Sequence, residues 1–438
     1  MKNRGLIIAA VVLAALLGFL YWSNRHKPAD STTMAAPTPT EPAPMILSLN
    51  EADINKIELK RKGADQIVIT RDTSGKWQIT APKVVAVDDA AVAGMLSTLA
   101  SLNSERLVEE RTTNPGRYGL AEPVLEVDFT DKSNNTRKLL LGDNTPTPNG
   151  AYVQLAGDPR VFTVASFAKT SLDKGLNDLR DKRLITADAD KITRLELVAK
   201  QQDIEFSRDK AQWQILKPKP LRADGAKVDE LLRKIIDAKM DISTSPDQSQ
   251  AAAAFAGAAV IGTAKLTTDS GTQTIEVRKD KENYYAKSSI TEGVYKVAGD
   301  LGQALDQKLD DFRNRKIFDL GPNDPGKIEI HDGARVYLAS KNGEDWWSAD
   351  GKKFGAAGAA ALVEKLRDLS ATEFADSGFT AAVMEITLTS ADGKRVEKLQ
   401  LSKGGKNAYG RRDGESTLYV LDSQVIEELQ KLASDLKP

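Results

Sequence analysis

The sequence predicts an α+β protein, in which an N-terminal transmembrane helix is followed by three tandem α+β repeat units. Three observations lead to this fold class. An uncharged apolar run extends from Gly5 to Trp22. Beyond it, a tryptophan recurs at Trp77, Trp213 and Trp347, at offsets of 136 and 134 residues. A helix pattern and alternating strands follow each tryptophan, so each copy has the size of a domain rather than of a solenoid repeat.

Length and composition narrow the classes of protein to consider. The chain has 438 residues, for which about three domains are expected. With 61 basic and 62 acidic side chains the net charge is −1, so no basic excess points to nucleic acid. The chain contains no cysteine, which excludes disulfides, thiolate nucleophiles and cysteine–zinc sites, and its only histidines are His26 and His331. We therefore expect no cofactor and no metal.

The apolar run is expected to anchor the chain in a membrane. Its 18 residues just span a thin hydrocarbon core, and it ends with Tyr21 and Trp22, where interfacial aromatic residues are common. Residues 1–27 would form a single-pass anchor in the bacterial cytoplasmic membrane, with the bulk of the chain on the periplasmic side. Residues 28–45, rich in proline, threonine and alanine, would form an extended linker. The alternative is a cleaved signal peptide, although the run is longer than a usual signal core.

Three repeat units are predicted, at residues 46–183, 184–316 and 317–438; we name them repeats 1, 2 and 3. In each repeat the tryptophan closes a β-hairpin. Trp346 and Trp347 are neighbours, and adjacent side chains of a strand point to opposite faces, so only one of them can face the core. The repeat spacing assigns Trp347 to the core and makes Trp346 a candidate exposed contact.

A helix is predicted after each hairpin, because apolar residues recur at i, i+3, i+4, i+7 and i+10. Asp88 and Asp224 precede the first two helices as N-caps, whereas the third helix has Gly355, a weaker start. The apolar positions are Val92, Met95, Leu96, Leu99 and Leu102; Val228, Leu231, Leu232, Ile235 and Ala238; and Ala359, Leu362, Val363, Leu366 and Leu369.

The second half of each repeat is predicted to be an antiparallel meander closed by a terminal helix. Apolar and polar residues alternate there between turns of Gly, Asp and Asn. Aromatic residues ten positions apart recur in the three meanders, as Tyr152 and Phe162, Tyr285 and Tyr295, and Tyr409 and Tyr419.

Two matching basic segments, residues 178–183 (DLRDKR) and 311–316 (DFRNRK), end the first two repeats, and repeat 3 lacks such a segment. Arginine pairs in a groove bind anions or phosphate. The alternative, which the sequence favours, is that these arginines stabilise helix ends and form salt bridges between one unit and the next. The candidate contact residues are Arg180, Arg183, Arg313 and Arg315.

The motifs do not predict catalysis. Carboxylate pairs such as Asp88–Asp89 and Asp310–Asp311 are weak signals, since spacing along the chain does not set the carboxylate separation that glycoside hydrolysis needs. The segment that begins at Asp131 lacks the glycine and the glutamate of a calcium loop. No phosphate-binding loop, serine elbow or zinc motif is present. We predict no catalytic residue and expect that the protein is not an enzyme.

Several segments together form a family pattern. They are the N-terminal anchor, ITRLELVAKQQDIEFSRDKAQWQILKP with its helix, RYGLAEPVLEVDF, LLLGD, AYVQL with VFTV, and LRDKRL. Through them residues 46–438 resemble the bacterial membrane-anchored proteins that carry the domain of unknown function 4340, in tandem copies. The resemblance implies an exported, membrane-tethered protein, whose relatives often accompany gliding-type ABC transport systems. It implies no catalytic residue.

These observations favour a non-enzymatic envelope protein that is tethered through Gly5–Trp22 and acts as a scaffold or accessory of an ABC-type transport complex. The expected partners are the membrane and transporter subunits, and not nucleic acid. The alternative is a binding module for envelope glycan or lipid that uses an exposed aromatic residue such as Trp346.

Overall fold

A computed structural model describes residues 44–146, 150–210, 212–243, 247–319 and 323–436. The predicted anchor and most of the predicted linker lie outside these ranges. Across the described residues, no helix is long and apolar enough to cross a membrane. The fold is α+β with antiparallel sheets, as predicted. The chain divides into two compact units, Met1–Asp181 (the first unit) and Lys182–Pro438 (the second unit).

The first unit contains a nine-stranded antiparallel sheet, sheet 1, whose core includes one face of the long helix α1. The strand order is β5-β4-β3-β2-β8-β9-β10-β11-β7, and β1 pairs separately with β6. The strands are β1 (Met45–Ser48), β2 (Ile54–Arg61), β3 (Ile67–Arg71), β4 (Trp77–Ala81), β5 (Val85–Ala86), β6 (Ser101–Asn103), β7 (Arg106–Glu109), β8 (Leu125–Asp131), β9 (Thr136–Asn144), β10 (Gly150–Leu155) and β11 (Val161–Ala165). The α-helices are α1 (Asp89–Ala100), α2 (Ser166–Leu172) and α3 (Leu176–Leu179).

The second unit contains two eight-stranded antiparallel sheets. Sheet 2 has the order β15-β14-β13-β12-β16-β17-β18-β19, and sheet 3 the order β22-β21-β20-β24-β25-β26-β27-β23. The strands are β12 (Ile192–Ala199), β13 (Gln202–Asp209), β14 (Gln212–Lys217), β15 (Leu221–Arg222), β16 (Ala259–Thr268), β17 (Gly271–Asp280), β18 (Asn283–Ser288), β19 (Val294–Val297), β20 (Pro325–Asp332), β21 (Arg335–Asn342), β22 (Asp345–Trp347), β23 (Glu373–Ala375), β24 (Met384–Ser390), β25 (Val396–Gly404), β26 (Asn407–Arg412) and β27 (Leu418–Asp422). The α-helices are α4 (Gly225–Ile236), α5 (Gln248–Gly257), α6 (Gly299–Leu305), α7 (Ala356–Asp368) and α8 (Val425–Ser434).

The three large sheets share one topology. In each, a central strand pairs on one side with the hairpin that carries the tryptophan and on the other with the first strand of the meander; these central strands are β2, β12 and β20. Sheets 1 and 3 add a strand at the far edge, β7 and β23. At the equivalent edge of sheet 2, the N–H of Asp241 donates to the carbonyl of Lys296 in β19 at 2.8 Å. One sheet falls in each predicted repeat, and the repeat boundaries themselves stay predictions.

The predicted apolar faces of the three long helices are confirmed. The first four predicted positions are buried in each of α1, α4 and α7. The fifth positions, Leu102, Ala238 and Leu369, lie past the helix ends and are buried there. The carboxylates of Asp88 and Asp224 accept backbone N–H groups of the first turns at 3.0 and 3.2 Å. Gly355 precedes α7 without a side-chain cap.

The structure reverses the predicted roles of the two neighbouring tryptophans. In every hairpin the core tryptophan pairs across the strands with a basic residue, and the pairs are Arg71–Trp77, Arg208–Trp213 and Lys341–Trp346. Trp346 belongs to the core of sheet 3 and is only 6% exposed, whereas Trp347 is partly exposed. The prediction of Trp346 as an exposed contact is therefore wrong. The hairpin register, rather than distance along the chain, selects the residue that faces the core.

Removal of the indole of Trp346 is expected to leave a cavity in the core of sheet 3. Trp346→Ala should lower the free energy of unfolding of the second unit by about 3–5 kcal/mol, as other buried aromatic truncations do. Trp347→Ala, the matched control, should cost about 1 kcal/mol. Urea denaturation of the full-length chain, followed by circular dichroism, measures both values. Equal losses in the two variants would contradict the assignment.

Candidate functional site at the basic segments

The first basic segment, residues 178–183, pairs with the loop that precedes α1, and we name it strap 1. The N–H of Asp88 donates to the carbonyl of Leu179 at 2.7 Å, and the N–H of Asp181 donates to the carbonyl of Ala86 at 2.9 Å. Between these bonds, Val87 and Arg180 form an antiparallel bridge. Strap 1 thus extends the edge of sheet 1 beyond β5.

The second basic segment, residues 311–316 or strap 2, repeats this arrangement on sheet 2. The N–H of Asp224 donates to the carbonyl of Phe312 at 2.7 Å, and the N–H of Asn314 donates to the carbonyl of Arg222 at 2.9 Å. The residues of the antiparallel bridge are Ala223 and Arg313. Equivalent residues make the same pair of bonds in both repeats, so the pairing belongs to the repeated fold.

The last residues of each strap pair with the segment that follows the next long helix. The N–H of Met240 donates to the carbonyl of Lys182 at 2.8 Å, and the N–H of Ala371 donates to the carbonyl of Arg315 at 2.8 Å. Both partners of strap 2 lie in the second unit. Strap 2 therefore joins sheet 2 to sheet 3 through backbone pairing at its two ends.

One apolar side chain anchors each strap. Leu179 is fully buried in the core of sheet 1, and Phe312 is fully buried in the core of sheet 2. The Phe312 ring meets the Phe206 ring edge to face, with centroids 5.1 Å apart. Burial of such a side chain stabilises a fold by about 1.5–3 kcal/mol, which exceeds what an exposed ion pair contributes. The anchors therefore hold the straps more strongly than their exposed charges do.

Arg313 connects strap 2 to sheet 3. Its guanidinium carbon lies 3.5 Å from the ring centroid of Phe374, and its Nη2 donates to the hydroxyl of Thr417 at 2.9 Å. Its Nη1 pairs with Asp310 at 3.0 Å, and only 10% of the side chain is exposed. An arginine that is stacked on a ring and hydrogen-bonded at both ends keeps its charge favourable despite burial.

The other predicted arginines have different surroundings. Arg315 lies over the same Phe374 ring at 5.5 Å and donates from Nη1 to the carbonyl of Thr372. Arg180 is buried in the first unit, and Arg183 is exposed in the second unit. Arg313 and Arg315 therefore share one aromatic neighbour, and the salt bridge of Arg313 is with Asp310, three residues earlier in the chain. The role of the four arginines in ligand binding stays a prediction.

We name the contact between sheets 2 and 3 at strap 2 the joint. The sequence did not predict its second half, which is formed by Glu415, Tyr419 and Arg222. Glu415 accepts the hydroxyl of Tyr419 at 2.5 Å, pairs with Arg412, and lies 3.5 Å from Nε of Arg222. Arg222 also lies over the ring of Tyr419 at 5.9 Å and donates to the carbonyl of Lys316. No motif marks these residues, and the recurring tyrosine position was the only sequence signal for any of them.

The buried hydroxyl of Tyr419 is perturbed by this environment. Burial raises the pKa of Tyr419 above its ordinary value, and the hydrogen bond to the Glu415 carboxylate adds to the rise. The positive charge of Arg222 opposes it. The tyrosine is therefore held in its neutral, hydrogen-bonded form.

A cleft of about 650 Å³ lies beside strap 2, between the β14–β15 hairpin and the β26–β27 loop. This volume falls in the range of small-molecule sites. The indole N–H of Trp213 donates to Asp229 at 2.7 Å, so this side chain is held by the fold. The residues that line the cleft include Trp213, Ile215, Leu221 and Ala223 of sheet 2 and its edge, Asn314 of strap 2, and Asp319, Glu415, Ser416 and Thr417. Within the part of the chain that the structure describes, no group of three His, Asp or Glu side chains is arranged to hold a metal ion.

Comparison with known families identifies the chain. The sequence model named Domain of unknown function (DUF4340) matches residues 77–253 and, again, residues 213–383. The chain belongs to the DUF4340 family. The two matches begin at Trp77 and Trp213, the core tryptophans of repeats 1 and 2, so the family match recurs in tandem as predicted.

Other comparisons are less informative. No curated protein matches this chain. Three crystal structures of the DNA polymerase sliding clamp of Pseudomonas aeruginosa align with it at 8% sequence identity. The first of these structures has a TM-score of 0.16 over 85% of this chain and 92% of the clamp. The structure with ligand has a TM-score of 0.14 over 86% of this chain and 93% of the clamp. The structure bound to griselimycin has a TM-score of 0.15 over 85% of this chain and 91% of the clamp. TM-scores this low carry no argument about fold or function.

Arg313→Ala is expected to weaken the joint between sheets 2 and 3 by about 2 kcal/mol, because a stacked cation and a buried hydrogen bond are lost. Arg315→Ala, the matched control, should cost less than about 1 kcal/mol because that side chain is exposed. Urea unfolding of the full-length chain measures both. A double-mutant cycle with Phe374→Leu should give a coupling of about 1–2 kcal/mol. A coupling of zero would show that the ring contact does not stabilise the joint.

The raised pKa of Tyr419 predicts a pH dependence of stability. The unfolded chain releases this phenolic proton first, near pH 10, so the contribution is fully present below about pH 10 and is lost as pH rises through the folded-state pKa. Ultraviolet titration of tyrosinate should show that the amplitude lost in Tyr419→Phe comes from the late part of the titration. Loss of that amplitude from the ordinary transition near pH 10 would rule out the perturbation.

Proposed function

We propose that this chain is a membrane-tethered, non-enzymatic scaffold or accessory protein of an ABC-type transport complex, exported to the periplasmic side of the bacterial cytoplasmic membrane. The observation that carries the proposal is the joint between sheets 2 and 3. There the side chains best suited to bind an anion, Arg313 and Arg222, contact Phe374, Thr417 and Glu415 instead. Because these partly buried charges join repeat 2 to repeat 3, the chain is suited to present its surfaces to partner proteins.

Two features of the sequence support the tether and the transport role. The uncharged run Gly5–Trp22 supports a membrane anchor. The family resemblance supports a place beside a gliding-type ABC transport system. Together with the joint, they favour a protein that works through contacts rather than through chemistry.

Binding of envelope glycan or lipid is the second candidate function, and the cleft beside strap 2 favours it. Amide and hydroxyl groups line part of the cleft, as Gln212, Gln214, Asn314, Ser416 and Thr417. Trp346, the aromatic residue first considered for this role, is buried and does not serve it. The Thr417 hydroxyl is bonded to Arg313, so the free polar surface of the cleft is smaller than its lining suggests.

The predicted topology is tested first, and the lack of cysteine makes the experiment simple. In Asp269→Cys, an exposed turn residue carries the only thiol of the full-length chain. A membrane-impermeant maleimide should label it in spheroplasts. The control variant, Asn3→Cys, should be labelled only after lysis. Labelling of position 3 in intact spheroplasts would overturn the orientation.

The proposed partners are then tested by purification. The tagged full-length chain, extracted from its native membrane in mild detergent, is expected to retain subunits of an ABC-type transporter, identified by mass spectrometry. Arg313→Ala should lower their recovery more than Arg315→Ala at equal abundance in the membrane. Recovery of the wild-type chain without transporter subunits would contradict the proposal, and defined glycan or lipid in the same preparation would favour the second candidate.

A further inference from the structure

The edge that receives a strap has the same design in repeats 1 and 2. One N–H and one carbonyl, two residues apart, face the strap. In repeat 1 they are the Asp88 N–H and the Ala86 carbonyl, and in repeat 2 they are the Asp224 N–H and the Arg222 carbonyl. The intervening residue is buried in both repeats, and it is Val87 or Ala223. A sheet edge of this kind is completed by pairing with an extended strand.

The hairpin register locates the equivalent edge in repeat 3. Gln78 pairs with Ala86, and Gln214 pairs with Arg222. In repeat 3 the corresponding bridge joins Trp347 to Lys353. The equivalent edge is therefore formed by the carbonyl of Lys353 and the N–H of Gly355, with Phe354 between them.

This third edge is formed but carries no strap in the described part of the chain. Phe354 is buried, as Val87 and Ala223 are, and its N–H donates to the Trp346 carbonyl at 2.8 Å. Among the described residues, neither the Gly355 N–H nor the Lys353 carbonyl has a hydrogen-bond partner. Gly355 is exposed, whereas Asp88 and Asp224 are partly covered.

The side chain next to this edge also differs in repeat 3. The residue that pairs with the edge segment is Gln78 in repeat 1 and Gln214 in repeat 2. At the equivalent position repeat 3 has Trp347. This indole is partly exposed, and its Nε1 is buried without a hydrogen-bond partner in the described residues. A partly exposed tryptophan is a typical component of a protein–protein contact.

We propose that the Lys353–Gly355 edge of repeat 3 is a docking site for an extended segment of a partner protein, which adds to sheet 3 as the straps add to sheets 1 and 2. The straps define the chemistry of this segment. An apolar residue offers its carbonyl to the Gly355 N–H, an arginine follows, and a polar residue donates its N–H to the Lys353 carbonyl. Main-chain pairing supplies affinity in such strand addition. The site does not depend on whether the partner is a transporter subunit.

A synthetic peptide with the sequence of residues 308–318 (KLDDFRNRKIF), which includes strap 2, serves as the probe. Its binding to the full-length chain in detergent is measured by fluorescence anisotropy. Gly355→Pro removes the N–H, and the backbone φ of −59° at this residue already suits proline. Gly355→Ser keeps the N–H and has room for its side chain. We expect Gly355→Pro to weaken binding about tenfold and Gly355→Ser to leave it unchanged.

A second measurement does not depend on how the proline variant folds. Methylation of the peptide nitrogen at the position of Asn314 removes the donor to the Lys353 carbonyl, and it should weaken binding to the wild-type chain to a similar extent. Hydrogen exchange should show new protection at Gly355 when the unmodified peptide binds. Absence of binding, or equal binding to the wild-type chain and to a folded Gly355→Pro variant, would overturn the proposal.

Discussion

The pairing of an extended strap with the sheet edge beside a helix start is the interaction on which the second unit depends. Its two backbone hydrogen bonds contribute only about 1 kcal/mol each. They nevertheless place Phe312 in the core of sheet 2 and aim Arg313 at Phe374 of sheet 3. Because the strap then pairs with Ala371, one short strand determines how two sheets meet.

Burial of Arg313 makes the joint specific. A charge removed from water destabilises the fold unless ring contact and hydrogen bonds replace its hydration. Phe374, Thr417 and Asp310 provide these contacts at one position of the strap, so a shifted strap would leave the guanidinium without them. Glu415 and Arg222 add a second charged contact a few residues away. The joint therefore selects one register, a role that buried ionic groups play in other folds.

Local patterns predicted much of the fold. Residues such as Val92 and Leu96 recur with helical spacing, and this period follows from the backbone alone, so the helix faces could be predicted without knowledge of the neighbours. Trp346 was misassigned because adjacent residues of a strand face opposite sides of the sheet, and distance along the chain does not set which of the two tryptophans pairs with Lys341. The contact of Glu415 with Arg222 could not be predicted, since no periodicity relates residues so far apart in the chain.

The sequence by itself determined the number of repeats to expect and the family, because similar segments recur along the chain. It also determined the helix faces and the caps at Asp88 and Asp224, because these depend on residues close together in the chain. The tertiary structure decided which tryptophan faces the core, which partner Arg313 takes and which edge, at Gly355, carries no strap among the described residues. These depend on strand register and on contacts between distant segments, which form only when the sheets pack.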